Sequence, residues 1–345
     1  MKIFLPLIAV LALVGIALAG VELANLQVFF GIVIPYAALA VFLGGLVYRV
    51  LKWARSPVPF RITLSCGQQK THPWIKSSTL DNPHSTAGVI GRMALEILFF
   101  RSLFRNTRLE LRKGPKLSYE WEKWLWLAAL AFHYAFLMIL LRHLRFFTVP
   151  VPFFVNALDQ LDGFFQISVP ALYLSDIILV AAATYLFLRR IVIPQIKYIS
   201  LPADYFPLFL ILGLATSGIL MRYLLRVDVE AIKELTIGLA AFRPVVPAGI
   251  GSLFYVHLFL VSVLFAYFPF SKLMHLGGIF LSPTRNLANN NRMRRHINPW
   301  NYPVKVHTYD EYEEEFRDKM QAAGLPLERE ASGDLKPAGL PLEKE

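Results

Sequence analysis

Hydrophobic residues fall along this chain in long unbroken runs, where a soluble domain would break them with polar positions every few residues. Six runs stand out, over residues 4–20, 28–48, 123–145, 168–188, 205–225 and 250–270. Each is near the roughly 20 residues that a helix needs to cross a bilayer core of about 30 Å. A helix in lipid satisfies its own backbone polar groups, so the pattern predicts an all-α integral membrane bundle of about six transmembrane helices. The alternation of apolar and polar positions typical of membrane β-barrel strands does not occur.

The polar stretches set the rest of the organisation. Residues 1–50 read as two N-terminal transmembrane helices and 51–120 as a polar insert. Residues 121–275 read as a four-helix membrane domain, and 276–345 as a polar C-terminal tail. Inside the insert, Thr86 to Phe104 predicts one mostly apolar helix. Its charges Arg92, Glu96 and Arg101 do not line one face, so it is expected at the membrane surface or against the bundle. Residues 227–249 predict a short outer helix. The tail holds an Asn-rich stretch, Asn286–Asn291, and an acidic run, Tyr309–Phe316. It closes on Ala323-Gly324-Leu325-Pro326-Leu327-Glu328, repeated as Ala338 to Glu343. A proline-bearing repeat among charges predicts an extended, partner-docking or disordered segment.

Composition agrees with the membrane reading: 56% hydrophobic residues, 17% charged and a mean hydropathy of +0.49. The net charge of +11 changes the picture only through its location. Residues 51–120 hold twelve Lys/Arg against four Asp/Glu. Arg189, Arg190 and Lys197 follow the fourth run, and Arg292, Arg294 and Arg295 follow the last. Six crossings put these regions on one side, and the positive-inside rule makes that side the cytoplasm. The protein is therefore expected in the inner (cytoplasmic) membrane with both termini cytoplasmic. The opposite loops carry Glu22, Asp159 and Asp162. Basic residues facing anionic headgroups account for the charge, and no nucleic-acid partner is implied. Met1-Lys2, an apolar run and Ala17-Leu18-Ala19 resemble a cleavable signal peptide, whose removal would leave the remaining topology unchanged. Trp121, Trp124 and Trp126 fit an interfacial aromatic belt.

The candidate chemistry lies in the histidines. Of eight, His72, His84, His296 and His307 fall in polar segments. The other four form two pairs, His133 with His143 and His257 with His275, on or at the end of the third and sixth runs. Ionisable side chains inside a membrane are costly, so they mark function by default. One such histidine is more often a packed, hydrogen-bonded residue; two pairs on antiparallel helices weaken that explanation. Ten residues of straight helix span about 15 Å and eighteen about 27 Å. The antiparallel arrangement matches levels crosswise, His133 with His275 and His143 with His257. Pro269 can end or kink the helix between the second pair and absorb the unequal spacing. Two stacked bis-histidine sites suit two haem irons, each filled axially and therefore built for electron transfer. The single cysteine, Cys66, excludes an internal disulfide, a Cys-x-x-Cys-His attachment or a cysteine-held cluster, so the haems are expected to be non-covalent haem b. By depth alone, Arg142 and Arg145 at the outer level and Lys123 and Lys272 at the inner one are candidates for haem propionates, and snorkelling explains them equally well. A bare metal-ion site lacks a companion carboxylate cluster.

The ten-then-eighteen spacing resembles the di-haem cytochrome b subunit of respiratory nitrate reductases, the gamma subunit family. The insert is more specific. Ser65-Cys66-Gly67-Gln68-Gln69-Lys70, His72-Pro73-Trp74-Ile75-Lys76, Leu80-Asp81-Asn82-Pro83-His84 and Gly91-Arg92-Met93-Ala94-Leu95-Glu96 resemble the DsrM subunit family of the sulfite-reduction-associated membrane complex. That resemblance implies a menaquinol-oxidising membrane subunit. It implies further that electrons pass to a cytoplasmic iron–sulfur partner (DsrK-like, akin to heterodisulfide reductase) within a larger complex of dissimilatory sulfur metabolism. The extra first run, the insert and the tail depart from the nitrate reductase pattern. Asp176, in the outer part of the fourth run, is a candidate proton acceptor for quinol or else a hydrogen-bonded packing residue. The alternatives are a nitrate reductase gamma subunit, a heterodisulfide reductase membrane cytochrome, or a haem-free scaffold or transporter. A transporter would show internal repeats and broken midplane helices.

Overall fold

A computed structural model describes residues 2–56, 70, 74–112, 116–163, 172–290 and 307–328. Cys66, His72, Arg292, Arg294, Arg295, His296 and the second copy of the proline-bearing repeat lie outside the described residues.

In chain order the helices begin with α1 (Phe4–Glu22) and, after a π-helical turn at Phe29–Val33, α2 (Ile34–Ala54). The insert contributes α3 (Thr86–Phe99), α4 (Arg101–Phe104) and an antiparallel hairpin, β1 (Thr107–Arg112) with β2 (Lys116–Trp121), in register from Thr107 opposite Trp121 to Arg112 opposite Lys116. Then come α5 (Lys123–His143), α6 (Phe153–Asp162), α7 (Leu174–Val192) and α8 (Pro194–Ile199). Next is α9 (Pro202–Ile219), continued by a π-helical segment at Leu220–Leu225, followed by α10 (Val229–Ala240) and α11 (Ser252–Tyr267). Last are α12 (His275–Leu281), α13 (Pro283–Asn286) and α14 (Tyr309–Ala322). The hairpin was not legible as a strand pair in the sequence; everything that forms the bundle is helical.

Five helical stretches are long and apolar enough to cross a membrane: Phe4–Glu22, Phe29–Ala54, Lys123–Phe146, Pro202–Leu225 and Ser252–Phe270. The sixth expected crossing is α7, whose 19 residues include Asp176 in the first turn and Arg189 and Arg190 in the last. Those charges sit at its two ends, where Asp176 and Arg189 form ion pairs and Arg190 donates to Ser200 Oγ at 3.3 Å. Arg189 meets Glu122 at 3.0 Å beside the start of α5, and Asp176 meets Arg142 at 3.3 Å beside its end. α7 therefore runs the full length of α5 in the opposite direction.

The core that positions these helices joins α1, α9 and α11, with Val10, Ala17, Leu210, Leu214, Tyr255 and Leu260 packed together. A smaller cluster of Ala135, Leu179 and Ile211 ties α5 to α7 and α9. The outward faces stay apolar, with Leu11, Ile16, Leu43, Val47, Leu137 and Leu140 exposed. Exposed leucine and valine on helices of this length face hydrocarbon.

The predicted single helix over Thr86 to Phe104 is two. Ser85 caps α3 by accepting from the Gly88 N–H at 3.2 Å. The helix stops at Phe100, which turns left-handed at φ 50°. The break lets α3 lie against the bundle, where Trp126 Nε1 donates to Phe99 O at 2.7 Å and Tyr134 Oη to Leu98 O at 2.9 Å. The chain beyond the last crossing folds back onto this insert. Asn289 donates its N–H to Pro83 O at 2.7 Å and Nδ2 to Asn82 Oδ1 at 2.5 Å, and Arg285 pairs with Glu96. Asp81 binds Arg101 and Arg105 in the same clasp. The Arg101 guanidinium holds the Asp81 carboxyl well below the usual carboxylate range, against the opposing effect of burial. The Asn-rich stretch thus closes a joint with the Leu80–His84 motif. The acidic run forms α14, capped reciprocally by Thr308 and Glu311, and ends before the first copy of the proline-bearing repeat.

Candidate functional site

α5 carries His133 and His143 on one continuous helix. The second pair is not on one helix. α11 ends at Tyr267 and a 3₁₀ turn follows at Phe268–Phe270. Ser271 is extended at ψ 178°, and a second 3₁₀ turn at Lys272–Met274 leads to His275 as the first residue of α12. Pro269 has no N–H to continue the ladder. Ser271 Oγ secures the break, donating to Phe268 O at 2.9 Å and accepting from Leu273 N–H at 3.1 Å. An unbroken helix would carry His275 about 27 Å from His257, roughly 12 Å more than separates the α5 pair. The break takes up that surplus.

The outcome is two crosswise pairs. His133 and His275 have ring centroids 5.9 Å apart with ring planes at 83°, and His143 and His257 have centroids 6.4 Å apart with planes at 11°. Metal–imidazole bonds of about 2.0–2.1 Å on both sides of one ion would set two ring centroids roughly 6 Å apart. Both pairs meet that distance. Phe100 lies edge-on to the His133 ring at 5.0 Å, and Phe146 edge-on to His143 at 5.7 Å.

Hydrogen bonds decide which nitrogen each ring presents. The Nδ1 of His133, His143 and His275 meets the carbonyls of Ala129 at 2.8 Å, Ile139 at 2.7 Å and Lys272 at 2.8 Å. A carbonyl only accepts, so the proton sits on Nδ1 and Nε2 keeps its lone pair. His257 Nδ1 lies 2.8 Å from Ser217 Oγ, whose own hydroxyl proton goes to Leu214 O at 3.0 Å. Ser217 therefore accepts from His257, and this ring has the same tautomer. Among the described residues no group of three or more His, Cys, Asp or Glu is placed to hold a metal ion. Two imidazoles at that spacing, each keeping the Nε2 lone pair and with no third protein ligand among the described residues, suit an ion whose other positions a macrocycle supplies, so the residues fit haem. Ser217 was not foreseen; a small polar residue in an apolar run, forty positions before a histidine, gives no sequence signal.

A buried polar cluster adjoins the His143–His257 pair. Arg142 Nη1 pairs with Asp162 at 2.7 Å and Nη2 with Asp176 at 3.3 Å. Asp162 also accepts from Ser175 N at 2.8 Å and Ser175 Oγ at 2.6 Å. Tyr223 Oη donates to Asp176 Oδ2 at 3.1 Å. The Tyr173 ring is sandwiched between two guanidinium groups, Arg142 at 3.6 Å and Arg222 at 3.8 Å. Its hydroxyl donates to Asp159 at 2.6 Å, and Arg145 meets the same carboxylate at 3.2 Å. Arg222 and Tyr223 sit on the π-helical segment after α9, a distortion frequent at functional sites.

Of the four cations singled out for propionates, Arg142 and Arg145 lie beside His143 at the end of α5, Lys123 at its start and Lys272 beside His275. Arg142, Arg145 and Lys272 hold protein carboxylates, the last through Asp204 at 2.6 Å. A propionate would join or displace those pairs. Lys123 opens α5 and is exposed at the His133 end.

Residues 93–296, which contain all four histidines, match the model of the nitrate reductase gamma subunit family. The chain is 46% identical over 280 residues to a protein of Archaeoglobus fulgidus described as an Hdr-like menaquinol oxidoreductase cytochrome b-like subunit, covering 79% of this chain and 83% of that protein. It is 37% identical over 321 residues to the protein of the same description in Archaeoglobus profundus, covering 86% of this chain and 94% of that protein. The chain belongs to the nitrate reductase gamma subunit family.

Proposed function

We propose that this member of the family is the cytochrome b membrane subunit of a menaquinol oxidoreductase complex. It holds two haem b groups, one between His133 and His275 and one between His143 and His257. The observation that carries the reading is the set of two facing imidazole pairs whose four Nδ1 atoms are all satisfied within the chain. Haem iron held by two imidazoles supplies one-electron transfer with both axial positions filled. The protein's own contribution is to fix the rings: a hydrogen bond at Nδ1 sets the tautomer and the plane, and raises the basicity of the ligating nitrogen. Arg142, Arg145, Lys123 and Lys272 supply positive charge at the two levels where propionates would lie.

The described part of the basic insert, the start of α1 and the end of α11 belong to one end of the bundle, and the positive-inside rule makes that end cytoplasmic. Quinol is then oxidised near the His143–His257 end, where Asp176 is the candidate proton acceptor, and electrons leave at the His133–His275 end. The recipient is a cytoplasmic iron–sulfur subunit of the heterodisulfide reductase type (DsrK-like). The names of the two relatives support a menaquinol-linked complex of that kind, and the insert motifs point to dissimilatory sulfur metabolism.

The test is a dithionite-reduced minus oxidised spectrum of the purified protein, with haem extracted and counted per chain. Two non-covalent b haems are expected. Replacing His133 or His275 should each remove the same single haem; loss of both, or of different ones, would overturn the crosswise pairing. A folded protein without haem, purified with its native partners, would overturn the cytochrome reading.

A further inference from the structure

Two carboxylates grip one guanidinium beside the His143–His257 pair, and their surroundings differ. Asp162 is committed within the protein: it accepts short hydrogen bonds from Ser175 Oγ at 2.6 Å and Ser175 N at 2.8 Å, forms an ion pair with Arg142 Nη1 at 2.7 Å, and its side chain is 4% exposed. It neutralises Arg142 and ties the end of α6 to the first turn of α7. Asp176 makes longer bonds, 3.3 Å to Arg142 and 3.1 Å to Tyr223, and its side chain is 14% exposed. Arg142 is already answered by Asp162. A second buried carboxylate on the same guanidinium is electrostatically redundant for it and costly to desolvate. Arg222 offsets part of that cost from across the Tyr173 ring.

We propose that this cluster divides its labour: Asp162 is the anchor that fixes Arg142, and Asp176, oriented by Tyr223, is the proton-exchanging group of a hydroquinone site. Paired acidic groups with unequal environments take unequal roles. Over one oxidation the two hydroxyl O–H bonds of a hydroquinone would break, and its two electrons would be taken up, one at a time, by the haem that His143 and His257 would hold. The two protons pass in turn onto Asp176 and from its exposed edge to solvent at that end. Tyr223 orients the Asp176 carboxylate, and Arg142 is a positioning residue that acts through it. The arrangement rests on the quinol-oxidising reading above; it assigns Asp162 and Tyr223, which that reading leaves without a role, and gives Arg142 a second one.

The experiment follows haem reduction by a soluble naphthoquinol in stopped flow, across a range of pH, in the complex purified with its partners. Dithionite reduction and the haem count serve as controls for the folded, loaded state. D176N and Y223F should keep both haems and full dithionite reduction. D176N should lower the quinol-driven rate by about 10²-fold or more, the usual scale of losing a general base. D176E should restore part of the rate with a displaced pH profile, an effect a merely structural role would not produce. D162N should lower the thermal stability of the subunit and its retention of haem at the His143–His257 pair. Wild-type rates and an unchanged pH profile in D176N and Y223F would overturn the proposal, as would D162N slowing the reaction with stability and haem intact while D176N is inert. A wild-type complex that dithionite reduces and naphthoquinol does not would instead overturn the quinol reading itself.

Discussion

At the scale of single residues, the site depends on hydrogen bonds as much as on its four histidines. Three Nδ1 atoms meet main-chain carbonyls, which substitution does not remove. The fourth depends on a side chain, Ser217, which passes its own proton to Leu214 O and so must accept from His257. Ser217→Ala should leave the His257 ring free to rotate and to change tautomer. The expected result is retention of haem at the His143–His257 pair weakened by about 10–100-fold, the usual effect of losing such a partner. Haem at His133–His275 should be unaffected. Heat-induced haem release followed optically would show this as one early and one late phase. A single unchanged phase would show that the carbonyl-anchored His143 alone fixes that site.

At the scale of elements, the functional step is the interruption of the last crossing helix. His257 is placed by a regular helix, but His275 is placed by a proline, two 3₁₀ turns and an extended serine. That break needs room, and α2 provides it at Gly45. A Cβ added there would lie 2.8 Å from Pro269 Cβ and 2.9 Å from Phe270 Cζ, closer than real Cβ atoms come. The proline ring cannot swing away as the tip of a flexible side chain would. Gly45→Ala should therefore push the break off α2 and disturb His275 while sparing His257. Spectral titration should show the His133–His275 signal broadened or lost and the other intact. Gly44 has open space at the same position, so Gly44→Ala is the matched control and should change nothing. The same scale explains α7, which fails as an apolar span on composition but ends its charges in pairs with Glu122 and Arg142.

At the scale of the whole molecule, one end of the bundle gathers several distant segments of the chain. Lys2 Nζ reaches Tyr198 O at 3.3 Å, so the start of α1 lies at the same end as the turn after α7. The insert and the segment after α12 close on each other at that end. Arg101, Arg189 and Arg285 lie at that end, and in the orientation we propose it is the cytoplasmic one. Cys66, the single cysteine, lies in the insert, so an impermeant thiol reagent should label it in inverted membrane vesicles and leave it untouched in intact cells. The reverse pattern would turn the molecule over, with the quinol end facing the cytoplasm.

The sequence by itself determined the class of fold, and it predicted the two histidine pairs and their crosswise order; of its six expected crossings, five are helices long and apolar enough to span a membrane. Those properties follow from local quantities: run length against bilayer thickness, 1.5 Å of rise per residue, and the alternation of antiparallel helices. Only the tertiary structure decided the rest. It showed how an eighteen-residue interval meets a ten-residue one, because a proline marks a possible break without giving its geometry. It placed Ser217 behind His257, split the insert helix at a left-handed Phe100, and folded the Asn-rich stretch onto the insert. It also gathered Asp162, Asp176, Arg142, Tyr173, Arg222 and Tyr223 from four segments of chain into one buried cluster. Contacts between distant segments leave no period or spacing in a sequence, and a charge that looks unpaired along the chain finds its partner only when the helices pack.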